Sequence, residues 1–367
     1  MSSLPERTDV LVIGGGVIGT SIACQLAEAG VDTVLLERGA LGSGSSGTTA
    51  GVLRAYFPGN SLISGLAVQS LAVYQDFAAR TGIDLGLSRI GFLVLFTEEH
   101  QVAEFWRTQA QQRAAGVQVE LVTPAEATRF NPLVDERAIV AAAWSPQAYT
   151  CDPAAIVRGY AAAARAAGAI LRTETPVTGI DPDGQVHTAA GSIRAGAVVC
   201  AAGPWAGTVA ATAGVQLPVT TYPVDMLLTD SPAALPVLPM TLDPSGLRIR
   251  GWGERILVGM GRPAPDESRA AWLQRVSRQL GATYPALAGG RLDLGWSGDL
   301  DVSPDGMAFL GRVPDRPFLY AAGFSGQGLC QAPAAGAIIR DLVLDKEGNR
   351  HDRLGVQRIH PGIGSLR

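Results

Sequence analysis

The chain has 367 residues, 47% of them hydrophobic and 17% charged, with a formal net charge of -4. That length is too great for one ordinary core and suits two interleaved ones, a cofactor domain and a substrate domain. A mildly acidic balance with no basic cluster excludes nucleic acid as a partner, and no uncharged run reaches the ~20 residues of a membrane helix, so no membrane span is expected.

Met1 to Thr8 leads straight into a strand without the basic, apolar and cleavage-site order of an export signal, so a cytoplasmic protein is expected. Asp9 to Ile13 is a short apolar run ending in Gly14-Gly15-Gly16. A helical pattern follows from Val17 to Ala29 with Gly30 as its stop, and Thr33 to Leu36 reads as a second strand closed by Glu37. Strand, helix and strand in this order make a parallel β-α-β unit. Beyond the Gly/Ser-rich loop Gly42 to Gly51, a long helix is predicted from about Leu62 to Arg80 and a strand from Phe92 to Phe96. A helix near Glu99 to Ala115, a strand at Gln118 to Val122 and a helix start at Thr123 to Glu126 form a separate mixed layer. The first rhythm returns with a helix from Pro153 to Ala167 and strands at Ala169 to Arg172, Pro176 to Ile180 and Ala197 to Ala201. Leu217 to Trp296 is strand-rich, with one helix around Glu267 to Leu280. The C-terminal block has a strand at Phe318 to Ala321, a Gly-rich loop and a helix around Ala332 to Leu344. The expected fold is therefore α/β, with a cofactor domain in segments 1–82, 150–216 and 297–367. An α+β substrate domain is expected in segments 83–149 and 217–296.

Gly14-x-Gly16-x-x-Gly19 opens a helix directly behind a strand, and Glu37 follows 18 residues after Gly19 at the end of the next strand. There the glycines permit a tight turn and close backbone approach, and the helix start through Val17 and Ile18 faces a pyrophosphate. The carboxylate of Glu37, beside Arg38, accepts ribose hydroxyls. Helix-end attraction for an anion is ~0.3 to 2 kcal/mol, so it orients a phosphate and does not bind it tightly alone. The fingerprint indicates an adenine dinucleotide without separating FAD from NAD.

Three further elements point to FAD. Ser45, Ser46, Thr48 and Thr49 follow the ribose acid and suit a loop passing a pyrophosphate, although a flexible linker has the same composition. Val177 lies on a strand whose backbone could meet an adenine, as a core valine also would. Leu319 to Leu329 is a strand breaking into glycines, and a helix start at Gly326, Gln327, Gly328 and Leu329 would favour negative charge at the pyrimidine end of an isoalloxazine. An NAD enzyme needs no such distal element. Gly203 and Trp205, closing the strand at Ala197 to Ala201, complete the candidate cofactor contacts.

Six pieces in order carry a resemblance: VIGGGVIG at 12 to 19, LLERG at 35 to 39, SSGTTAGVLRAYF at 45 to 57, VVCAAGPWAG at 198 to 207, WSGDLDVSPDGMAFLG at 296 to 311 and AAGFSGQGLCQAPAAG at 321 to 336. The chain resembles the D-amino-acid oxidase superfamily, particularly the sarcosine oxidase, glycine oxidase and dimethylglycine dehydrogenase group, over nearly its whole length. The resemblance implies a glutathione-reductase-like Rossmann FAD-binding domain interleaved with a mixed-sheet substrate domain over the flavin face. It also implies oxidation of a C–N bond in a small amine or amino acid, with hydride passing to flavin N5, an imine product, and reoxidation by O2 to H2O2. Related enzymes attach flavin through a cysteine whose place falls at about Gly298, or through a histidine near Thr48. Noncovalent FAD is therefore expected. The resemblance assigns Arg54 to a substrate carboxylate, while Cys330 replaces a family lysine.

Arg54 lies among apolar residues, and a structural ion pair is its alternative role. Tyr222, Arg250 and Trp296, like Tyr56, Met226 and Trp252, fall where related enzymes line the cavity, although such residues are also ordinary core. Gln327 and Cys330 flank the flavin turn. His100, His187, His351 and His360 lie in polar or terminal segments, and neither a Ser/His/Asp set nor a metal cluster stands out. Cys24, Cys151, Cys200 and Cys330 are far apart and expected as reduced thiols. In related oxidases a strand lysine above the flavin stabilises developing superoxide. Leu257 holds that approximate place, and the only lysine, Lys346, follows the last helix in a polar segment, so Arg250 is the candidate cation. The alternatives are a flavin dehydrogenase with another acceptor, an NAD(P)-dependent dehydrogenase, or a non-catalytic flavoprotein subunit.

Overall fold

Val10 to Ile13 are buried on both faces, as an unbroken apolar run requires of a central strand. Strand Arg7–Ile13 pairs in parallel with Thr33–Leu36 on one side and with Gly191–Cys200 on the other. The computed structural model describes residues 4–231, 235–345 and 351–359. The sheet around this strand runs Val177–Ile180, Gln185–Thr188, Gly191–Cys200, Arg7–Ile13, Thr33–Leu36, Ile170–Arg172. Strand Phe318–Ala322 joins the C-terminal half of Gly191–Cys200 in parallel and carries Phe309–Arg312 beyond it. The long strand exceeds its predicted length because its N-terminal half closes an antiparallel hairpin with Gln185–Thr188. Helices Val17–Glu28, Pro153–Ala166 and Gly328–Val343 share a core on one face through Ile22, Leu26, Ile156, Tyr160, Ile338 and Ile339. Helix Ala206–Thr212 covers the other face through Ala206 and Ala210.

A second sheet runs Asp293–Val302, Thr220–Asp230, Arg255–Gly259, Arg248–Trp252, Met240–Leu242, Phe92–Phe96, Ala141–Ser145, Glu120–Val122. It is antiparallel except where Met240–Leu242 meets Phe92–Phe96. Leu227, Ile249, Ile256 and Val258 on one face bury Trp272, Val276 and Leu280 of helix Arg269–Thr283. Strict alternation then turns the other face toward the first sheet. A small third sheet, Val52–Arg54, Ala148–Thr150 and Ser88–Arg89, forms within the Gly/Ser-flanked region that sequence reading left without a strand.

Two helices differ from expectation. The predicted helix from Leu62 to Arg80 divides at Asp76 into Ser61–Gln75, capped by the Asn60 side chain, and Phe77–Thr81. The last helix starts at Gly328, ahead of the predicted Ala332, with Pro333 inside it. Proline there has no N–H for the Leu329 carbonyl four residues back. The Tyr74 hydroxyl supplies that bond at 2.8 Å, so a neighbouring helix repairs the break that the sequence suggests.

Candidate functional site

A cavity of about 550 Å³ separates the two large sheets. Its lining runs from the glycine turn after strand Arg7–Ile13 to the loop before helix Gly328–Val343. Gly14 has φ +113, and a Cβ there would lie 2.3 Å from the Ala201 carbonyl oxygen, so only glycine makes this turn. A Cβ on Gly19 would lie 1.9 Å from the Gly14 carbonyl oxygen. Gly19 therefore acts by letting the helix close on the strand, and it does not line the cavity. The helix start has neither a side-chain cap of its own nor an acidic residue in its first turn. Ser46 Oγ, reaching in from the next loop, accepts the Val17 N–H at 3.0 Å. An N-terminal turn without an acidic residue, facing a cavity, attracts an anion to its remaining amides. Glu37 Oε2 accepts from the Gly15 N–H at 2.6 Å and Oε1 from the Gly39 N–H at 2.8 Å, which fixes the carboxylate at the cavity edge. The Arg38 guanidinium lies 3.4 Å from the centre of the Trp205 ring, and both residues line the cavity. Gly14, Gly16, Val17, Ile18, Ser45, Ser46, Thr48, Thr49, Val177, Gly203 and Gly326 to Leu329 share the same lining.

The opposite end is built differently. Arg54 projects from strand Val52–Arg54, stacks 3.7 Å from the Phe57 ring centre and 4.7 Å from that of Phe92, and donates to the Tyr56 carbonyl. No carboxylate among the described residues pairs with it, and burial pulls its guanidinium down to about 10, with Arg248 nearby acting in the same direction. Cys330 Sγ accepts the Arg54 N–H at 3.4 Å and donates to the Val52 carbonyl at 3.5 Å. Burial raises the Cys330 thiol, so it stays protonated and serves this end as a structural donor. Met226, Met240, Leu242, Phe57 and Phe92 supply apolar wall.

Sequence reasoning passed over three charged residues that the fold brings to this cavity, of which Asp225 is already engaged by Arg262 and Arg269. Arg248 lines it, while Arg250, two residues along the same strand face, does not. Arg248 sits opposite Gly259, whose missing side chain leaves it space, whereas Arg250 sits opposite buried Leu257. The Arg250 guanidinium instead donates to the Gly251 and Ala50 carbonyls. Only cross-strand register separates these two arginines, and no local signal could have done so. Asp301 is the third. Its Oδ2 accepts from the Gly323 N–H at 2.7 Å and the Phe324 N–H at 3.1 Å, holding the loop ahead of the last helix. Burial raises its carboxyl above the usual range, against the lowering effect of those two donors.

Tyr222 is 47% exposed and outside the lining. Trp296 is also outside it. The indole donates to the Thr48 carbonyl at 2.8 Å and packs against Trp252 at 4.9 Å, pinning the Ser/Thr loop from behind. Tyr56 is core. Outside the cavity lining, His187 bonds Asp181 and Ser192, each at 2.9 Å, a Ser/His/Asp contact not anticipated from sequence. It lies on a solvent-facing hairpin. Lys346 and His360 lie outside the described residues. Among the described residues the four cysteines are free, no group of three or more His, Cys, Asp or Glu could hold a metal ion, and no helix is long and apolar enough to cross a membrane.

Comparison with known proteins gives concordant results. The chain is 32% identical over 359 residues to a glycine oxidase of Geobacillus kaustophilus (strain HTA426), covering 94% of this chain and 95% of that one. It is 29% identical to a mitochondrial dimethylglycine dehydrogenase of Mus musculus, of which it spans only 43%. Among solved structures, the L-proline dehydrogenase from P. horikoshii superposes with a TM-score of 0.87 at 28% identity, covering 99% of this chain and 100% of that one. The model of the FAD dependent oxidoreductase family, DAO, matches residues 9–342, and the chain belongs to that family.

Proposed function

We propose that this chain oxidises a C–N bond in a small amine or amino acid, using FAD held without a covalent link. In this reading segments 1–82, 150–216 and 297–367 hold FAD, and segments 83–149 and 217–296 cover the substrate. The observation that carries it is one cavity open at one end on an acid-free helix start and at the other on Arg54, a guanidinium without a carboxylate partner. Relatives named for glycine, dimethylglycine and L-proline support an amino-acid substrate.

The residues present fit FAD. Gly14, Gly16, Val17 and Ile18 would hold the pyrophosphate with Ser45, Ser46, Thr48 and Thr49. Glu37 and Arg38 would hold the ribose, Val177, Gly203 and Trp205 the adenosine side, and Gly326, Gln327, Gly328 and Leu329 the isoalloxazine. A Cβ at Gly298 would lie 2.2 Å from Thr48 Oγ1, so the approximate family attachment positions meet here, and the absence of a thiol or imidazole on either residue supports the noncovalent reading. Bound FAD supplies the two-electron acceptor for the substrate hydrogen.

The chain's own part is placement. Arg54 offers a planar fork to a carboxylate, kept in orientation by the Tyr56 carbonyl and the Phe57 and Phe92 rings. The apolar wall and the nearby guanidinium disfavour the ammonium form, so the amine loses its proton on entry without a dedicated side-chain base. For the acceptor we favour O2. Because Arg250 lies off the cavity, a second reading with a non-oxygen acceptor stands beside it.

The test is anaerobic mixing of purified holoenzyme with N-methyl, secondary and primary amino acids. Loss of the flavin band at roughly 450 nm with one of them is expected, and a silent panel overturns the reading. Acid precipitation should leave the yellow colour in the supernatant, and a yellow pellet refutes the noncovalent link. Stopped-flow reoxidation no faster than that of free flavin would select the non-oxygen acceptor.

A further inference from the structure

Met226, Gly259, Arg248 and Leu242 stand side by side across the second sheet, through the pairs Met226 with Gly259, Gly259 with Arg248, and Arg248 with Leu242. All four line the cavity. Ile249 and Val258, their alternating neighbours, point into the core beneath helix Arg269–Thr283. Strand geometry therefore commits Arg248 to the cavity side. Arg54 reaches the same space from the opposite wall, over Phe92. Two guanidiniums thus share one end of one cavity.

No carboxylate among the described residues pairs with either. Arg54 has a single carbonyl acceptor, and Arg248 has no hydrogen bond or ion pair among the described residues. The acids of the lining are engaged elsewhere: Asp225 with Arg262 at 3.0 Å and Arg269 at 2.9 Å, Asp301 with two backbone amides, and Glu37 with two more at the far end. Arg248 is exposed on the cavity side and Arg54 half-buried, so both guanidiniums are within reach of a ligand in the cavity, and the apolar surroundings pull Arg54 down to about 10. Two like charges at one end of one cavity repel, and an anionic group of a ligand on each relieves that repulsion. A zwitterionic amino acid with one carboxylate would leave one cation uncompensated.

We infer that the substrate carries a second acidic group: an amino dicarboxylate, with one carboxylate on Arg54 and the other on Arg248. This rests on the proposal that Arg54 receives a substrate carboxylate.

The test needs no turnover. Holoenzyme is titrated by calorimetry with unreactive monocarboxylates (acetate, propionate, butyrate) and dicarboxylates (malonate, succinate, glutarate). At least one diacid should bind about 10-fold or more tightly than the monoacid of equal length, as a second charge-assisted pair requires. Arg248→Met should abolish that preference and leave monoacid affinity unchanged, while Arg248→Lys should keep part of it. The inference is overturned if native holoenzyme shows no diacid preference. It is equally overturned if Arg248→Met weakens both classes by the same factor, because both arginines then grip one carboxylate. Either result leaves the Arg54 proposal standing. Arg54→Met binding both classes like the native protein would remove that proposal, and this inference with it.

Discussion

The two ends of the cavity manage charge by different means. At the glycine-turn end, backbone amides do the work: Glu37 is clamped by the Gly15 and Gly39 N–H groups, and Ser46 caps Val17. These partners lie within one β-α-β unit and its following loop, so short-range geometry completes the end before any ligand arrives. At the Phe92 end the guanidiniums come from positions 54 and 248, on different sheets, and have no carboxylate partner among the described residues. A cofactor common to a whole family can be held by chain-local backbone. The Phe92 end is assembled from distant side chains, each of which can change separately.

The comparison breaks most sharply at Arg54. Arg54→Ala should lower kcat/KM by about 10- to 1000-fold on the true substrate while the holoenzyme keeps its flavin, since a charge-assisted pair is lost at one end only. Steady-state kinetics beside the flavin-to-protein absorbance ratio measures both. Native kinetics would make a neutral amine the favoured substrate class.

Glu37→Ala probes the other end and should do the reverse. FAD affinity should fall by about 1.5–3 kcal/mol, the worth of a hydrogen bond to a charged group, with turnover of the flavin-saturated enzyme little changed. Equilibrium dialysis at graded FAD concentrations reads this directly. Unchanged affinity would show that the ribose is held elsewhere.

The smallest effect is expected at Asp301, between the two ends. Its carboxyl is raised by burial, so the unfolded chain ionises first as pH rises, and native stability declines between the ordinary aspartate value and the raised one. Asp301→Asn can still accept from the Gly323 and Phe324 amides but cannot ionise. Its melting temperature relative to native should therefore increase on going from about pH 4 to about pH 7 and level off beyond. A difference independent of pH would mean that the backbone donors fully offset the burial.

The regions that were legible beforehand share a property. Strands Thr33–Leu36 and Phe92–Phe96 match their predicted limits, and helices Val17–Glu28 and Glu99–Ala114 fall within one residue of theirs, because periodicity and glycine stops act over a single turn or pleat. The break at Asp76 and the early start at Gly328 escaped because their causes are remote. Pro333 is tolerated only because Tyr74, far back in the chain, satisfies Leu329.

By itself, then, the sequence determined the β-α-β unit, its glycine turn and the acid closing its second strand, since contacts a few residues apart have few geometries to choose among. Tertiary structure alone decided which of Arg248 and Arg250 faces the cavity, that Trp296 pins a loop instead of meeting substrate, and that Asp301 braces the last helix start. In a sheet, the neighbour across the strand determines what space a side chain is given, and that neighbour is fixed by register between segments far apart in the chain.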